Sequence, residues 1–194
     1  TGAGSSTLTS PAFDIDEGGK KLSWKGFEGA FSYGRNMSSL ECDLSAPGMD
    51  LTQPDGVTLQ MGEISFDCDL ERAFDDLYLG SAALKLASLH HSTPKGEKPT
   101  KVEQMSYAVD LRKNGDYVDM TAKVGIGNME LEDMTMSDLR YDIAINHVHG
   151  PTYAAIQRKL QDVTATGTPG DATASTMVMS AFGEFLPQLL EHSP

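Results

Sequence analysis

The side chains able to do chemistry are few and scattered: histidines at His90, His91, His147, His149 and His192, cysteines at Cys42 and Cys68, and ten methionines. His147 and His149, two apart, would share one side of an extended strand, and two imidazoles with a carboxylate could hold zinc. A structural zinc site wants four nitrogen or sulfur ligands, and the cysteines lie far away in sequence, so polar strand-end histidines are the simpler account. Acidic groups at Asp14, Asp16 and Glu17, at Asp75 and Asp76, and from Glu130 to Asp133 lack the alternating ligands, central Gly and terminal Glu of a calcium loop. They read as solvated faces that discourage edge-to-edge strand pairing. Gly-x-Ser-x-Gly is absent, neither cysteine has a catalytic setting, and Val124-Gly-Ile-Gly-Asn128 is neither a P-loop nor a dinucleotide fingerprint. It reads as a strand bend, and no metal, cofactor or catalytic residue is implied.

Two constellations carry more. Cys42 and Cys68 take inward positions of alternating runs joined by a hairpin. In an oxidising compartment they could bridge neighbouring strands, closing a long loop worth on the order of 3 kcal/mol; two buried thiols packed as small hydrophobes are the alternative. Flexible thioethers make adaptable apolar surfaces, and Met105, Tyr107, Met120, Met134 and Met136 mark a candidate face for an acyl chain or hydrophobic peptide. Core packing is the competing use.

These residues are positioned by elements of period two from Trp24 to about Val148, the spacing of a sheet with one buried face. Leu40, Cys42 and Leu44 alternate with polar residues, as do Ile64, Phe66, Cys68 and Leu70. Val57, Leu59 and Met61 are odd-numbered where the run after them is even, so a bulge near Gly62 must absorb one residue. Gln53-Pro-Asp-Gly56 and Asn114-Gly115 predict hairpin turns, and Glu132-Asp133 can carry another. Met105 to Leu111, Val118 to Ile126, Met129 to Leu131 and Met134 to Ile145 supply further runs, with Ser92 to Lys101 an exposed loop. After Gly150-Pro151 the spacing turns helical at Tyr153, Ile156, Leu160 and Val163; a second helix is predicted from about Thr173 on the stripe Val178, Phe182, Phe185 and Leu189. The expected fold is α+β, mostly β: a long curved antiparallel β-meander with two C-terminal helices packed on or beside it. One domain is expected over 1–194, with 1–23 irregular, 24–148 the sheet and 151–192 helical.

The length of 194 residues suits one domain, and a net charge of −13 opposes electrostatic binding to nucleic acid or anionic lipid headgroups. No stretch approaches the roughly 18 apolar residues of a membrane helix, and the start lacks the regions of a signal peptide. Any targeting or anchoring segment is expected to have been removed.

The alternating strands, then Leu77-Tyr-Leu-Gly80 leading into Ser81 to Leu89, then Asn146-His-Val-His-Gly-Pro-Thr-Tyr-Ala-Ala-Ile156 and Phe185-Leu-Pro-Gln-Leu-Leu-Glu-His-Ser-Pro194, resemble the YdgA-like family of bacterial envelope proteins. The likeness runs from about Phe31 onward. It departs at Asn146-His-Val-His149, where relatives often open the first helix with an Asn-Leu-Asp type of start. The resemblance implies an excised portion of a longer protein, tethered to the inner membrane and exposed to the periplasm, with no functional residues to carry across. The expected role is therefore non-enzymatic: a hydrophobic ligand or an envelope protein bound on a curved sheet. The alternatives are a structural module pairing through strand edges or helices, as a homo-oligomer for example, and an uncharacterised hydrolase.

Overall fold

The computed structural model describes residues 2–74, 77–94 and 98–166, without the side chains of 159–166. It is a 12-stranded antiparallel sheet with one helix. The strands are β1 (Gly4–Ser10), β2 (Phe13–Glu17), β3 (Lys20–Trp24), β4 (Phe27–Tyr33), β5 (Ser39–Ala46) and β6 (Met49–Thr52). They continue as β7 (Thr58–Met61), β8 (Ile64–Ala73), β9 (Leu77–Ser92), β10 (Thr100–Asn114), β11 (Tyr117–Leu131) and β12 (Met134–His149), followed by α1 (Gly150–Thr166).

The register simplifies this inventory. Trp24 pairs with Met49 and Glu28 with Ser45, which is one unbroken register across β3–β4 and β5–β6. The same holds for β1–β2 against β3–β4, for β5–β6 against β7–β8, and for β7–β8 against β9. The sheet is thus eight long strands joined end to end as a meander, four of them interrupted once near the middle. The four interruptions and one irregular position in each of the four continuous strands lie on one line: Pro11, Gly26, Pro47, Glu63, Ala87, Gln104, Gly127 and Asp138. Gly26, Gln104 and Asp138 have positive φ, and the Ala87 N–H donates to the Glu63 carbonyl at 2.7 Å across the line.

At this seam every strand inserts one residue, and its apolar positions change parity: Leu44 and Ala46 give way to Met49 and Leu51, Met61 to Ile64, Leu86 to Leu89, Met136 to Leu139. The bulge expected near Gly62 falls one residue on, at Glu63, where β7 gives way to β8. An inserted residue restores the facing that a parity change would otherwise reverse. The Trp24 indole donates to the Ser10 hydroxyl at 3.1 Å across the seam, which places side chains of both halves on one face.

Turn chemistry appears where composition predicts it. Gln53–Val57 closes β6 to β7, Asn114 pairs with Tyr117 around Gly115, and Glu132 takes positive φ between β11 and β12. The segment 1–23, expected to be irregular, instead contains β1, β2 and most of β3. Phe13 and Ile15 alternate with Asp14 and Asp16 and pair with Trp24 and Leu22 across the Gly18-Gly19 turn.

One α-helix stands among the described residues, besides a single 3-10 turn at Arg35–Met37, rather than the two expected; the second, predicted from Thr173, lies outside them. α1 begins at the end of β12, where the Gly150 N–H donates to the Asp116 carbonyl at 2.8 Å and His149 Nδ1 lies 2.9 Å from the Thr152 hydroxyl. Pro151 occupies the first turn, where its missing N–H is harmless. Ile156 and Ala154 are buried, and Ala154 and Tyr153 pack on Leu77, Leu79, Leu111 and Val118. Gly80, at φ 137°, lets Leu77 and Leu79 join this core while Ala82 and Leu84 continue the alternation beyond it. The helix thereby covers one end of the sheet.

Candidate functional site

The rest of the apolar face is a set of cross-strand ladders. One runs Leu8, Gly29, Leu44, Phe66, Leu84, Tyr107, Val124 and Tyr141, each directly opposite the next. The next runs Phe31, Cys42, Cys68, Ala82, Val109, Ala122 and Ile143. At about 4.8 Å per strand the first ladder spans roughly 30 Å. Beyond the seam lies a third: Phe13, Trp24, Met49, Met61, Leu89, Val102, Met129 and Met136. Four of its members are methionines, so much of the methionine content is gathered into one track.

This face is open to solvent among the described residues. Leu8 is 50% exposed, Leu84 40%, Tyr107 45% and Tyr141 63%. Soluble proteins rarely leave a contiguous apolar patch of this extent uncovered without a use for it. Of the residues expected to mark a ligand face, Met105, Tyr107 and Met120 lie on one side of the seam and Met134 and Met136 on the other. Met105, Tyr107 and Met134 are exposed; Met120 and Met136 are half-buried. A depression of about 410 Å³ adjoins the seam, but its lining includes Ser65, Lys85 and Ser106, a cross-strand row of the opposite face.

Cys42 faces Cys68 directly across β5 and β8, with Cα atoms 5.0 Å apart, and the two form a disulfide. Both are buried within the second ladder. On the opposite face, the same strands set Asp43 against Asp67 and Glu41 against Asp69. Like charges so placed repel. The sheet is therefore apolar on one side and acidic on the other in this region.

The histidines are built into the strand ends. The Tyr117 ring stands between His147 and His149, with centroids 5.8 and 6.1 Å away, and His90 lies 3.3 Å from Glu103. No group of three potential metal ligands occurs among the described residues. At the β12 bulge, Asp119 accepts the His147 backbone N–H at 2.8 Å and the Asn114 amide at 3.0 Å. These bonds, chiefly that of His147, hold its carboxyl below the usual carboxylate range. Asp119→Ala is thus expected to lower the melting temperature at pH 7. The carboxylate's contribution is complete above the unfolded pKa of about 4 and disappears as pH falls through the depressed folded value. Melting curves taken down the pH scale check this, and a gap between variant and wild type that ignores pH would refute it.

An open, one-sided antiparallel sheet capped at one end by a helix is the class of domain these features define. The chain belongs to a bacterial family of unknown function: the model described as "Bacterial protein of unknown function (DUF945)" matches residues 1–194. No curated protein and no solved structure matches it. No helix among the described residues is long and apolar enough to cross a membrane, which leaves strand-based insertion unaddressed.

Proposed function

We propose that the protein is a non-enzymatic domain of the bacterial envelope that binds the hydrocarbon part of a lipid-like ligand along the exposed apolar ladders of its sheet. The observation carrying this reading is the unbroken ladder from Leu8 to Tyr141, solvent-exposed at Leu84, Tyr107 and Tyr141. Each methylene removed from water on such a track contributes about 0.8 kcal/mol, so a long acyl chain gains its affinity from burial and needs no bond chemistry. The methionine ladder beyond the seam offers a second, adaptable track. A periplasmic location is supported by the resemblance to YdgA-like proteins and by the Cys42–Cys68 disulfide, since such bonds persist in oxidising compartments.

Native mass spectrometry, together with melting curves across fatty acids and phospholipids, tests the reading. Tyr107→Asp and Leu84→Asp set a carboxylate in the track, where desolvating it opposes binding; a loss of about tenfold or more is expected, with melting shifted little. Ser106→Asp, on the opposite face, should leave binding intact. Absence of any lipid-sized mass, combined with no melting shift from any lipid, would sink the proposal.

A further inference from the structure

The two rims of the sheet differ. One is formed by β1 and β2, short strands separated by Pro11. The other is β12, which pairs with β11 alone among the described strands. β12 has 16 residues with neither proline nor lysine, and every residue from Ser137 to His147 is exposed. Strand edges are normally blunted by proline, lysine, shortness or bulges. Here the positive-φ residues Asp138 and His147 only bracket the stretch, leaving Leu139 to Asn146 between them. That run presents a row of outward N–H and C=O groups ready to pair with another strand.

We propose that the partner is a second copy of this chain, joined antiparallel through β12 about a two-fold axis at Tyr141. A two-fold perpendicular to the sheet keeps the apolar faces of both copies on one side and requires some residue to face its own copy. An axis at Arg140 would oppose two guanidiniums and set Asp138 against Asp142. An axis at Asp142 would oppose two carboxylates. An axis at Ile143 places Arg140 against Asn146 and Asp142 against Ala144, with no ion pair. An axis at Leu139 brings positive-φ Asp138 beside the centre in both copies. Tyr141 alone sets Arg140 of each copy against Asp142 of the other with all four residues inside the bracketed run.

The same register puts Leu139 against Ile143 on the apolar face and Tyr141 against itself. Tyr141 is 63% exposed in the single chain, so the axis would cover the side chain with most to bury. Arg140 also faces Gly125 on its inner neighbour, which offers no side chain to answer its charge, whereas Asp142 faces Lys123. A second copy supplies the missing carboxylate, and the apolar ladders run on from one sheet into the next. This inference does not depend on the ligand reading, because edge pairing leaves the face of each sheet open.

Sedimentation velocity on the intact chain, from about 1 to 100 μM, tests it. The wild type should dimerise, and R140D and D142R should each weaken dimerisation by about tenfold or more, by opposing like charges across the axis. The double variant R140D/D142R restores opposite charges and should restore the dimer. Tyr141→Cys should cross-link to its own copy under mild oxidation, whereas Thr135→Cys, set opposite His147, should not. A wild type that stays monomeric over this range would overturn the proposal. So would single variants that dimerise normally, or a double variant no better than the singles.

Discussion

Gly80→Ala is expected to destabilise the protein by about 3 kcal/mol, lowering the melting temperature by roughly 6–12 °C. At φ 137° an L side chain is strained, and a Cβ built on Gly80 would overlap the Asp69 carbonyl oxygen and crowd the Leu70 Cα at 3.0 Å. Those are backbone atoms of a paired strand, so nothing flexible can give way. Gly80 is also where β9 turns Leu77 and Leu79 into the small core under α1, so the strain would be transmitted to the docking of the helix. Gly48, at φ 120° with the Met61 carbonyl oxygen in the place of its missing Cβ, should respond alike. Gly2→Ala, with nothing within 4 Å, is the control. Denaturant titration of the three variants reads the effect; a Gly80→Ala midpoint equal to that of the control would show that β9 relaxes at no cost.

Reducing the Cys42–Cys68 bond is expected to have an effect of similar size. The cysteines are 26 residues apart in sequence, and closing a loop of that length is worth roughly 3 kcal/mol in the chain-entropy model. The bond also holds together strands whose acidic side chains repel on the opposite face, Asp43 against Asp67 and Glu41 against Asp69. Melting with and without reductant, and with the Cys42→Ala/Cys68→Ala double variant, should show a drop of roughly 10 °C in both cases. A drop in reductant that the double variant does not share would point to chemistry elsewhere. An unchanged melting point with both thiols shown to be free would remove the disulfide from any role in stability.

The strands from Leu40 onward were legible because one face is apolar and the other wet, so that period two is written plainly in Leu40-Glu-Cys-Asp-Leu44 and its successors. The first strands were not. Ser5 to Ser10 carries one large apolar residue, Leu8, and β2 and β3 are so short that Phe13, Ile15, Leu22 and Trp24 do not make a long run. A signal was nevertheless present in Gly18-Gly19, flanked by Asp16 and Glu17 on one side and Lys20 and Lys21 on the other. Those residues meet as opposite-charge pairs across the hairpin, with Lys21 Nζ 3.6 Å from Asp16. The methionines are individually unremarkable in sequence, because only the register between distant strands brings Met49, Met61, Met129 and Met136 into one row. The exposure of the apolar ladders was equally invisible, since alternation reports which side chains share a face and says nothing of what lies over it.

The seam restricts how such a chain can change its length. Because all eight strands insert their extra residue at one level, the loss of Gln104 alone would leave β10 one residue short between Val102 and Met105 and slip one half of it by a residue against unaltered neighbours, breaking the pairing of Val102 with Leu89 and Met129 or that of the run from Met105 to Leu111. Insertions and deletions are thus tolerable at the hairpin ends, where no register is carried. Within the strands they must occur across the whole sheet together. The eight inserted residues form a single hereditary unit spread over more than a hundred positions, and proteins descended from this fold should keep the spacing between seam and strand while their turns vary freely.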